Sequence, residues 1–223
     1  MSYFIAIEGS DGSGKGTQTQ LLVDYVQNKL KKPVLKLSFP RYDQPSAAYV
    51  ARYLNGEYGE LSPEPASFLY AFDRFMARKE IDEFLEKNPD GVVISDRYMA
   101  SNLGHQGGKI TNKTARYKFY KEIRDLEFNQ FQIARPDINI VLTVPADVAQ
   151  TNVDKKAARN YTDKKRDLHE GDKNHLLNAT ACFKELCEIY PDEFTEINCY
   201  DHDKKSMLSI EQIQELILDI LPL

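Results

Sequence analysis

Apolar residues form five short runs along the chain, each bounded by glycine, proline or charged residues. These runs predict β-strands at about 3–8, 34–39, 91–95, 136–145 and 194–198. Between them, apolar residues recur every three or four positions, which predicts helices at about 17–30, 46–88 (broken near Asn55-Gly56), 114–132, 168–190 and 210–221. The alternation of strand and helix, without repeats or a linker, predicts a single α/β domain over 1–223. We expect a three-layer, doubly wound sheet of five parallel strands with helices on both faces.

The first strand runs into a glycine-rich turn and then a helix, which is the context that a phosphate-binding loop requires. The turn comprises Gly9, Ser10, Asp11, Gly12, Ser13, Gly14, Lys15, Gly16 and Thr17. Its glycines permit backbone angles at which successive N–H groups face an anion, and the helix adds the positive end of its dipole. Lys15 adds a full charge for the outer phosphates. Gly16 stands where such loops usually carry a magnesium-contacting hydroxyl, so we expect Thr17 to contact a phosphate instead.

Polar residues follow two predicted strands at the edge of the sheet where ligands collect in open α/β folds. Asp96 and Arg97 end the third strand. A carboxylate there either holds magnesium, directly or through water, or caps the next helix, and the arginine can bind phosphate oxygens. Arg41 lies just beyond the second strand as either a ligand or a solvated loop residue. The sequence therefore predicts phosphate and magnesium ligands opposite the loop.

Two predicted helices carry side chains suited to a nucleobase. Tyr70 and Arg74 are four residues apart and therefore share one helix face. They form either a stacking platform beside a guanidinium or a core edge with a surface ion pair. Ser101, Asn102 and Gln106 offer polar groups suited to reading the edge of a base.

Composition and charge narrow the classes of partner. The 223 residues are 42% apolar and 28% charged, which is ordinary for a globular protein with one full core. A net charge of −5 without a dominant basic face argues against nucleic acid. No apolar run approaches the ~20 residues that span a membrane, and the N-terminus lacks the basic start of a secretory signal. Three cysteines without a CxxC pair indicate a reducing, cytoplasmic setting, and four scattered histidines indicate no structural metal.

A basic segment after the fourth strand completes the candidate chemistry. It carries Lys155, Lys156, Arg159, Lys164, Lys165 and Arg166 without apolar periodicity. Such a run is typical of a solvated face or, at this edge of the sheet, of a mobile cationic lid at about 153–170. A phosphate loop facing further arginines implies two phosphate-bearing ligands. Transfer between them needs positioning and charge neutralisation, so these features predict a nucleoside monophosphate kinase.

From about Phe4 to the last helix, the chain resembles the thymidylate kinase family. The matching motifs are Ile7-Glu8-Gly9 into GKGTQ, Phe39-Pro40-Arg41, 69–74, Asp96-Arg97-Tyr98, Ser101 with Gln106-Gly107, and Arg135-Pro136-Asp137. The resemblance implies the P-loop NTPase fold and transfer of the γ-phosphoryl group of ATP to dTMP with Mg2+. It also implies a homodimer, which is common in the family.

The resemblance further implies roles for individual residues. Tyr70 would stack on thymine, Arg74 would contact the base and the dTMP phosphate, and Arg97 would bind that phosphate. Asp11 would accept a hydrogen bond from the sugar 3′-OH. The remaining residues implied in the dTMP site are Phe39, Arg41, Ser101, Asn102 and Gln106.

The catalytic set implied by the resemblance extends beyond the phosphate loop. It comprises Lys15, Asp96, Arg97, Arg159 and Arg166. One branch of the family places an arginine where this chain has Gly12, and the other supplies a basic residue from the lid. The chain resembles the second branch, with Arg166 as the first candidate and Arg159 as the second. Asn152 and Val153 stand where relatives often carry an arginine near the adenine, which leaves the contacts to the donor base open.

Three other classes of protein share part of this pattern. Adenylate kinases share the GKGTQ run but lack the Tyr70–Arg74 pairing and the 96–98 triplet in this arrangement. A deoxynucleoside kinase would carry a Glu-Arg-Ser type of motif at 96–98. A regulatory nucleotide-binding protein without catalysis would have no need of Lys15, Asp96 and a basic lid.

Overall fold

The computed structural model describes residues 2–154 and 173–222. Its main sheet consists of five strands in the order β2-β3-β1-β4-β5, and every neighbouring pair is parallel. The strands are β1 (Tyr3–Gly9), β2 (Val34–Ser38), β3 (Val92–Asp96), β4 (Ile138–Thr143) and β5 (Phe194–Asn198). The predicted five-stranded, doubly wound architecture is confirmed, and each strand lies within two residues of its predicted bounds.

Eight α-helices accompany the sheet in the described part of the chain. They are α1 (Lys15–Asn28), α2 (Ala48–Leu54), α3 (Pro63–Lys87), α4 (Met99–Gly107), α5 (Lys113–Asp125), α6 (Ala146–Asp154), α7 (Lys173–Ile189) and α8 (Ile210–Asp219). A 3-10 turn (Pro45–Ala47) precedes α2, and a π-helical turn (Leu126–Gln130) follows α5. Among the described residues no helix is long and apolar enough to cross a membrane.

Two apolar layers enclose the sheet, one on each face. Along β1, Phe4 and Ala6 pack into a core with residues of α3, α4, α5 and α7, whereas Ile5 and Ile7 pack with residues of α1 and α8. Successive side chains of a strand point to opposite faces, so a strand buried on both faces must be apolar almost throughout. This explains why the first strand is a continuous apolar run rather than an alternating one.

The strand register brings the predicted ligands together at one edge of the sheet. Ile7 of β1 lies opposite Asp96 of β3, and Gly9 lies opposite Leu142 of β4. The phosphate loop that follows Gly9 therefore begins next to the end of β3. Because β1 has β3 on one side and β4 on the other, the loop leaves the centre of the sheet, where open α/β folds bind ligands.

Three local features differ from the pattern-based expectation. The helix predicted at 114–132 ends as an α-helix at Asp125 and closes with the π-helical turn. Helix α6 was not predicted, and neither was a two-stranded hairpin formed by β6 (Tyr200–Asp201) and β7 (Ser206–Met207). The predicted lid at 153–170 lies outside the described residues except for its first two positions. The organisation of 1–223 as one domain stays a prediction.

Candidate active site

The phosphate loop is held by hydrogen bonds within the loop and by contacts with α6. Lys15 is buried, and its Nζ donates to the carbonyl oxygen of Ser10 at 2.7 Å and lies 3.5 Å from Ser13 Oγ. Gly12 has φ +82°, and a Cβ there would lie 2.1 Å from the carbonyl oxygen of Ala149 in α6. Asn152 of α6 donates from Nδ2 to the Gly12 carbonyl at 2.9 Å. Helix α6 therefore packs directly on the loop and leaves no space for a side chain at position 12.

Asp96 ends β3 beside the first turn of α1. A Cβ on Gly16 would lie 3.3 Å from Asp96 Oδ2, so the glycine lets the carboxylate approach the helix closely. Asp96 Oδ1 is buried and has no hydrogen-bond partner among residues 2–154 and 173–222. The N-cap residue of α4 is Tyr98 rather than Asp96, and the Tyr98 side chain makes no cap hydrogen bond. The capping role considered for Asp96 is thus absent, and its carboxylate is a fitting ligand for a cation.

Arg97 adopts a left-handed conformation with φ 66° and points its guanidinium at the phosphate loop. Nη2 donates to Asp11 Oδ1 at 2.5 Å, and Nη1 donates to the Gly9 carbonyl at 3.4 Å. Burial opposes the charge of Arg97, but the carboxylates of Asp11, Asp96 and Glu8 outweigh burial and raise its pKa above the ordinary value. The guanidinium is therefore a fixed, permanent positive charge at the cleft.

Glu8 is a fully buried carboxylate that sequence reasoning did not assign to the site. It accepts hydrogen bonds from the Tyr98 backbone N–H at 2.8 Å and from Ser101 Oγ at 2.6 Å. Burial raises the pKa of Glu8, while the Ser101 bond and the charge of Arg97 act in the opposite direction. Its position in the Ile7-Glu8-Gly9 motif was the available signal. Glu8 fixes the start of α4 against the end of β1.

A histidine pair, also absent from the predicted site, adjoins Arg97. Arg97 Nη1 lies 3.3 Å from His105 Nε2, and His105 Nδ1 lies 3.2 Å from Nε2 of His175 in α7. A guanidinium can only donate, so His105 Nε2 accepts and its Nδ1 carries the proton towards His175. The two rings stack at 5.4 Å and are both mostly buried. No spacing in the sequence signals a contact between residues 70 positions apart.

The predicted arginines at positions 41 and 74 are each held by an acid. Arg41 donates from Nε to Asp73 Oδ1 at 3.1 Å and from its backbone N–H to Asp73 Oδ2 at 2.8 Å. It is thus neither a solvated loop residue nor part of the cleft lining. Arg74 donates from Nε and Nη2 to the two carboxylate oxygens of Glu127, at 2.6 and 2.5 Å. Its partner is a buried acid rather than the surface ion pair considered from the sequence.

One cleft of about 370 Å³ brings most of the predicted residues together. Its predicted lining residues are Asp11, Gly12, Gly14, Lys15, Gly16, Thr17, Phe39, Tyr70, Arg74, Asp96, Arg97, Ser101, Asn102 and Gln106. Its unpredicted ones are Ser38, Pro40, Tyr42, Leu54, Tyr98 and His105. The predicted residues Gly9, Ser10, Ser13 and Arg41 do not line the cleft. Arg159 and Arg166 fall outside the described residues.

The chain is similar to known proteins of one family. A family model described as thymidylate kinase matches residues 7–208. A thymidylate kinase from Mycobacterium tuberculosis is 34% identical over 188 residues, which cover 82% of this chain and 84% of the relative. A probable thymidylate kinase from Thermococcus kodakarensis is 28% identical over 192 residues, covering 82% and 86%.

Solved structures support the same fold. A thymidylate kinase structure from Candida albicans aligns with a TM-score of 0.71 at 20% identity and covers 98% of this chain and 90% of its own. One from Ehrlichia chaffeensis aligns with a TM-score of 0.67 at 20% identity and covers 98% of each chain. The resemblance inferred from the motifs is confirmed, and the match over residues 7–208 shows that this chain belongs to the thymidylate kinase family.

Proposed function

We propose that this protein transfers the γ-phosphoryl group of ATP to dTMP and releases dTDP and ADP. The observation that carries the proposal is that a single cleft is lined both by the phosphate loop with Lys15 and by Tyr70 and Arg74. Membership of the thymidylate kinase family supports the choice of acceptor. A donor and an acceptor nucleotide that enter this cleft from opposite ends would meet at Arg97 and Asp96.

The donor phosphates would lie on the loop from Gly9 to Thr17. The N–H groups at the start of α1 and the dipole of that 14-residue helix favour an anion there. Lys15 would exchange its contact with the Ser10 carbonyl for the β and γ oxygens. No covalent intermediate is needed, because phosphoryl transfer depends chiefly on positioning and charge stabilisation.

Magnesium is the cofactor that the acid at the end of β3 suits best. Asp96 presents a buried oxygen without a partner in the described chain, and Mg2+ prefers carboxylate oxygens and retained water. We propose that Asp96 holds the ion through water, since Gly16 supplies no hydroxyl beside it. When bound, the ion neutralises charge on the β and γ phosphates.

The acceptor phosphate would bind Arg97, whose guanidinium is already oriented by Asp11 and His105. An acceptor phosphate is itself a nucleophile, so no general base is required. Asp11 holds Arg97 through Oδ1. We propose that the same carboxylate also accepts from the sugar 3′-OH, which would make the loop a contact for both substrates.

The base would lie between Tyr70 and the polar groups of α4. Tyr70 is half-buried and lines the cleft, as a stacking platform requires. Gln106 Oε1 is buried without a partner among the described residues and would accept from a ligand N–H. Arg74 and Asn102 line this end of the cleft, where Arg74 would contact the base.

The lid would supply the positively charged side chain that stabilises the transferred phosphoryl group. Position 12 has no space for the arginine that one branch of the family carries there. This favours Arg166, with Arg159 as the second candidate, although both lie outside the described residues.

The assembly we propose is a homodimer in the cytoplasm. Helix α3 exposes Phe68, Phe75 and Met76, with exposed fractions of 48%, 39% and 52%. The rings of Phe68 and Phe75 both contact Phe131, at centroid distances of 6.0 and 5.3 Å. Such an apolar cluster favours burial against a second subunit. The three free cysteines support a reducing compartment.

The test measures by chromatography how much dTDP forms from ATP and dTMP. Thymidine is assayed separately as a second acceptor. Lys15→Ala should lower kcat about 10³-fold, because it removes the positive charge that stabilises the transferred phosphoryl group. Tyr70→Ala should raise KM for dTMP and leave KM for ATP unchanged. Phosphorylation of thymidine rather than dTMP would reassign the protein to the deoxynucleoside kinases.

A further inference from the structure

A buried polar cluster lies beneath the base end of the cleft. It consists of Arg74 on α3, Asn102 on α4 and Glu127 on the π-helical turn, and each of these residues is at most 2% exposed. Only Arg74 and Asn102 line the cleft. Glu127 is 53 residues from Arg74 in the chain and does not line the cleft, so any effect it has on a ligand must pass through the other two.

Glu127 binds both of these cleft residues at once. Oε1 accepts from Arg74 Nη2 at 2.5 Å and from Asn102 Nδ2 at 3.0 Å, and Oε2 accepts from Arg74 Nε at 2.6 Å. Burial opposes the charge of Arg74, but the carboxylate of Glu127 outweighs it and raises the pKa of the arginine. A bidentate pair of this kind fixes the plane of the guanidinium.

The orientation of the Asn102 amide follows from its neighbours. Nδ2 donates to Glu127 Oε1 and to the Ser67 carbonyl oxygen at 3.1 Å. Both partners can only accept, so the amide nitrogen must be the buried end of the side chain. The end that Asn102 offers to the cleft is therefore its carbonyl oxygen. With Arg74 locked beside it, the cleft presents a donor next to an acceptor.

This order of donor and acceptor matches one kind of base. Thymine and uracil carry an accepting O4 next to a donating N3–H, so O4 can face Arg74 while N3–H faces Asn102. Cytosine reverses both groups, with a donating amino group at C4 and an accepting N3. Cytosine would therefore set donor against donor and acceptor against acceptor, which a buried polar site rejects strongly.

We propose that Glu127 is a positioning residue that fixes this order and thereby selects imide bases over cytosine. The inference rests on the proposed use of dTMP as acceptor, and it adds the residue responsible for the choice. Glutamine at position 127 would bring an amide NH2 against the donors of Arg74 or Asn102. The Asn102 amide would then lose its fixed orientation, and its NH2 group could turn towards the cleft.

The test measures kcat/KM for dTMP, dUMP and dCMP with the wild-type protein and Glu127→Gln. In Glu127→Gln, the ratio of kcat/KM for dTMP to kcat/KM for dCMP should fall about ten- to a hundredfold. This is the effect expected from misdirecting a hydrogen bond to a charged group. The ratio of dTMP to dUMP should stay constant, because those two bases share the imide edge. A general loss of stability would lower all three values together.

Glu185→Gln is the matched control. Glu185 accepts a similar pair of bonds from Arg116, at 2.8 and 3.0 Å, but neither residue lines the cleft. This variant should keep the wild-type ratio of dTMP to dCMP. If Glu127→Gln also keeps that ratio, the proposal is wrong.

A second variant keeps the proposal testable if Glu127→Gln does not fold. Asn102→Ala removes the acceptor through which Glu127 acts, and its ratio of dTMP to dCMP should fall by a similar factor. An unchanged ratio in Asn102→Ala would overturn the proposal. A wild-type protein that does not prefer dTMP would instead overturn the proposed function, so the two failures are distinguishable.

Discussion

Replacing Gly12 with alanine tests how closely the phosphate loop packs on α6, and Gly14→Ala is its matched control. Both glycines have positive φ, +82° and +93°, in the same loop. They differ in what a methyl group would meet. At Gly12 it would lie 2.1, 2.8 and 2.9 Å from backbone atoms of Ala149, whereas nothing lies within 4 Å at Gly14. The pair therefore separates backbone strain from collision.

The magnitudes follow from these distances. An L-residue in the left-handed region costs about 1–2 kcal/mol, and both variants incur that cost. The loss of chain entropy in the unfolded state is also common to both. Gly12→Ala alone must push a backbone segment away, for which overpacking costs of about 1–3 kcal/mol are typical. Gly12→Ala should thus be less stable than Gly14→Ala by at least about 1 kcal/mol.

Urea unfolding without nucleotide measures this difference directly. Gly12→Ala should also raise KM for ATP more than Gly14→Ala, because displacement of α6 carries away Asn152, which donates to the Gly12 carbonyl. Equal free energies of unfolding for the two variants would refute the close packing of the loop on α6.

Two further predictions concern the lid and two cysteine thiols. Arg166→Ala should lower kcat about 10³-fold. Normal turnover in this variant, together with loss of turnover in Arg159→Ala, would assign the catalytic role in the lid to Arg159 instead. Burial raises the pKa of Cys187 and of Cys199 to about 12, against about 8.5 in an unfolded chain. The folded thiols stay protonated at pH 8, and Cys199 is fully buried, so thiol reagents should react with Cys199 only as fast as the protein unfolds. Rapid labelling of Cys199 would contradict its burial. Since the folded state binds these protons more tightly, their contribution to stability is complete below about pH 8.5 and declines as the pH rises towards 12.

Local patterns in the sequence predicted the strands and the phosphate loop well. A buried parallel strand is a short apolar run, and the loop is one contiguous segment whose residue types dictate its conformation. The edge at which Asp96 and Arg97 meet the loop was predictable for the same reason, since parallel strands end together. Helix α6 has nine residues, which is shorter than the window of about 11–18 residues in which a helical period is clear.

Contacts between distant segments could not be predicted. Glu127 pairs with Arg74 across 53 positions, and His175 pairs with His105 across 70. Which helix faces meet depends on the packing of the whole domain, and the π-helical turn that directs Glu127 inward leaves no periodic signal. The family resemblance implied that Arg74 is a ligand of base and phosphate. The acid that fixes its orientation was visible only in the structure.

We propose that one cleft joins an ATP phosphate site to a thymidylate site. The most direct measurement compares kcat/KM for dTMP, dUMP, dCMP, AMP, CMP and GMP with ATP and magnesium. We expect the highest value for dTMP and turnover that requires the divalent ion. A strong preference for any acceptor other than dTMP would contradict it.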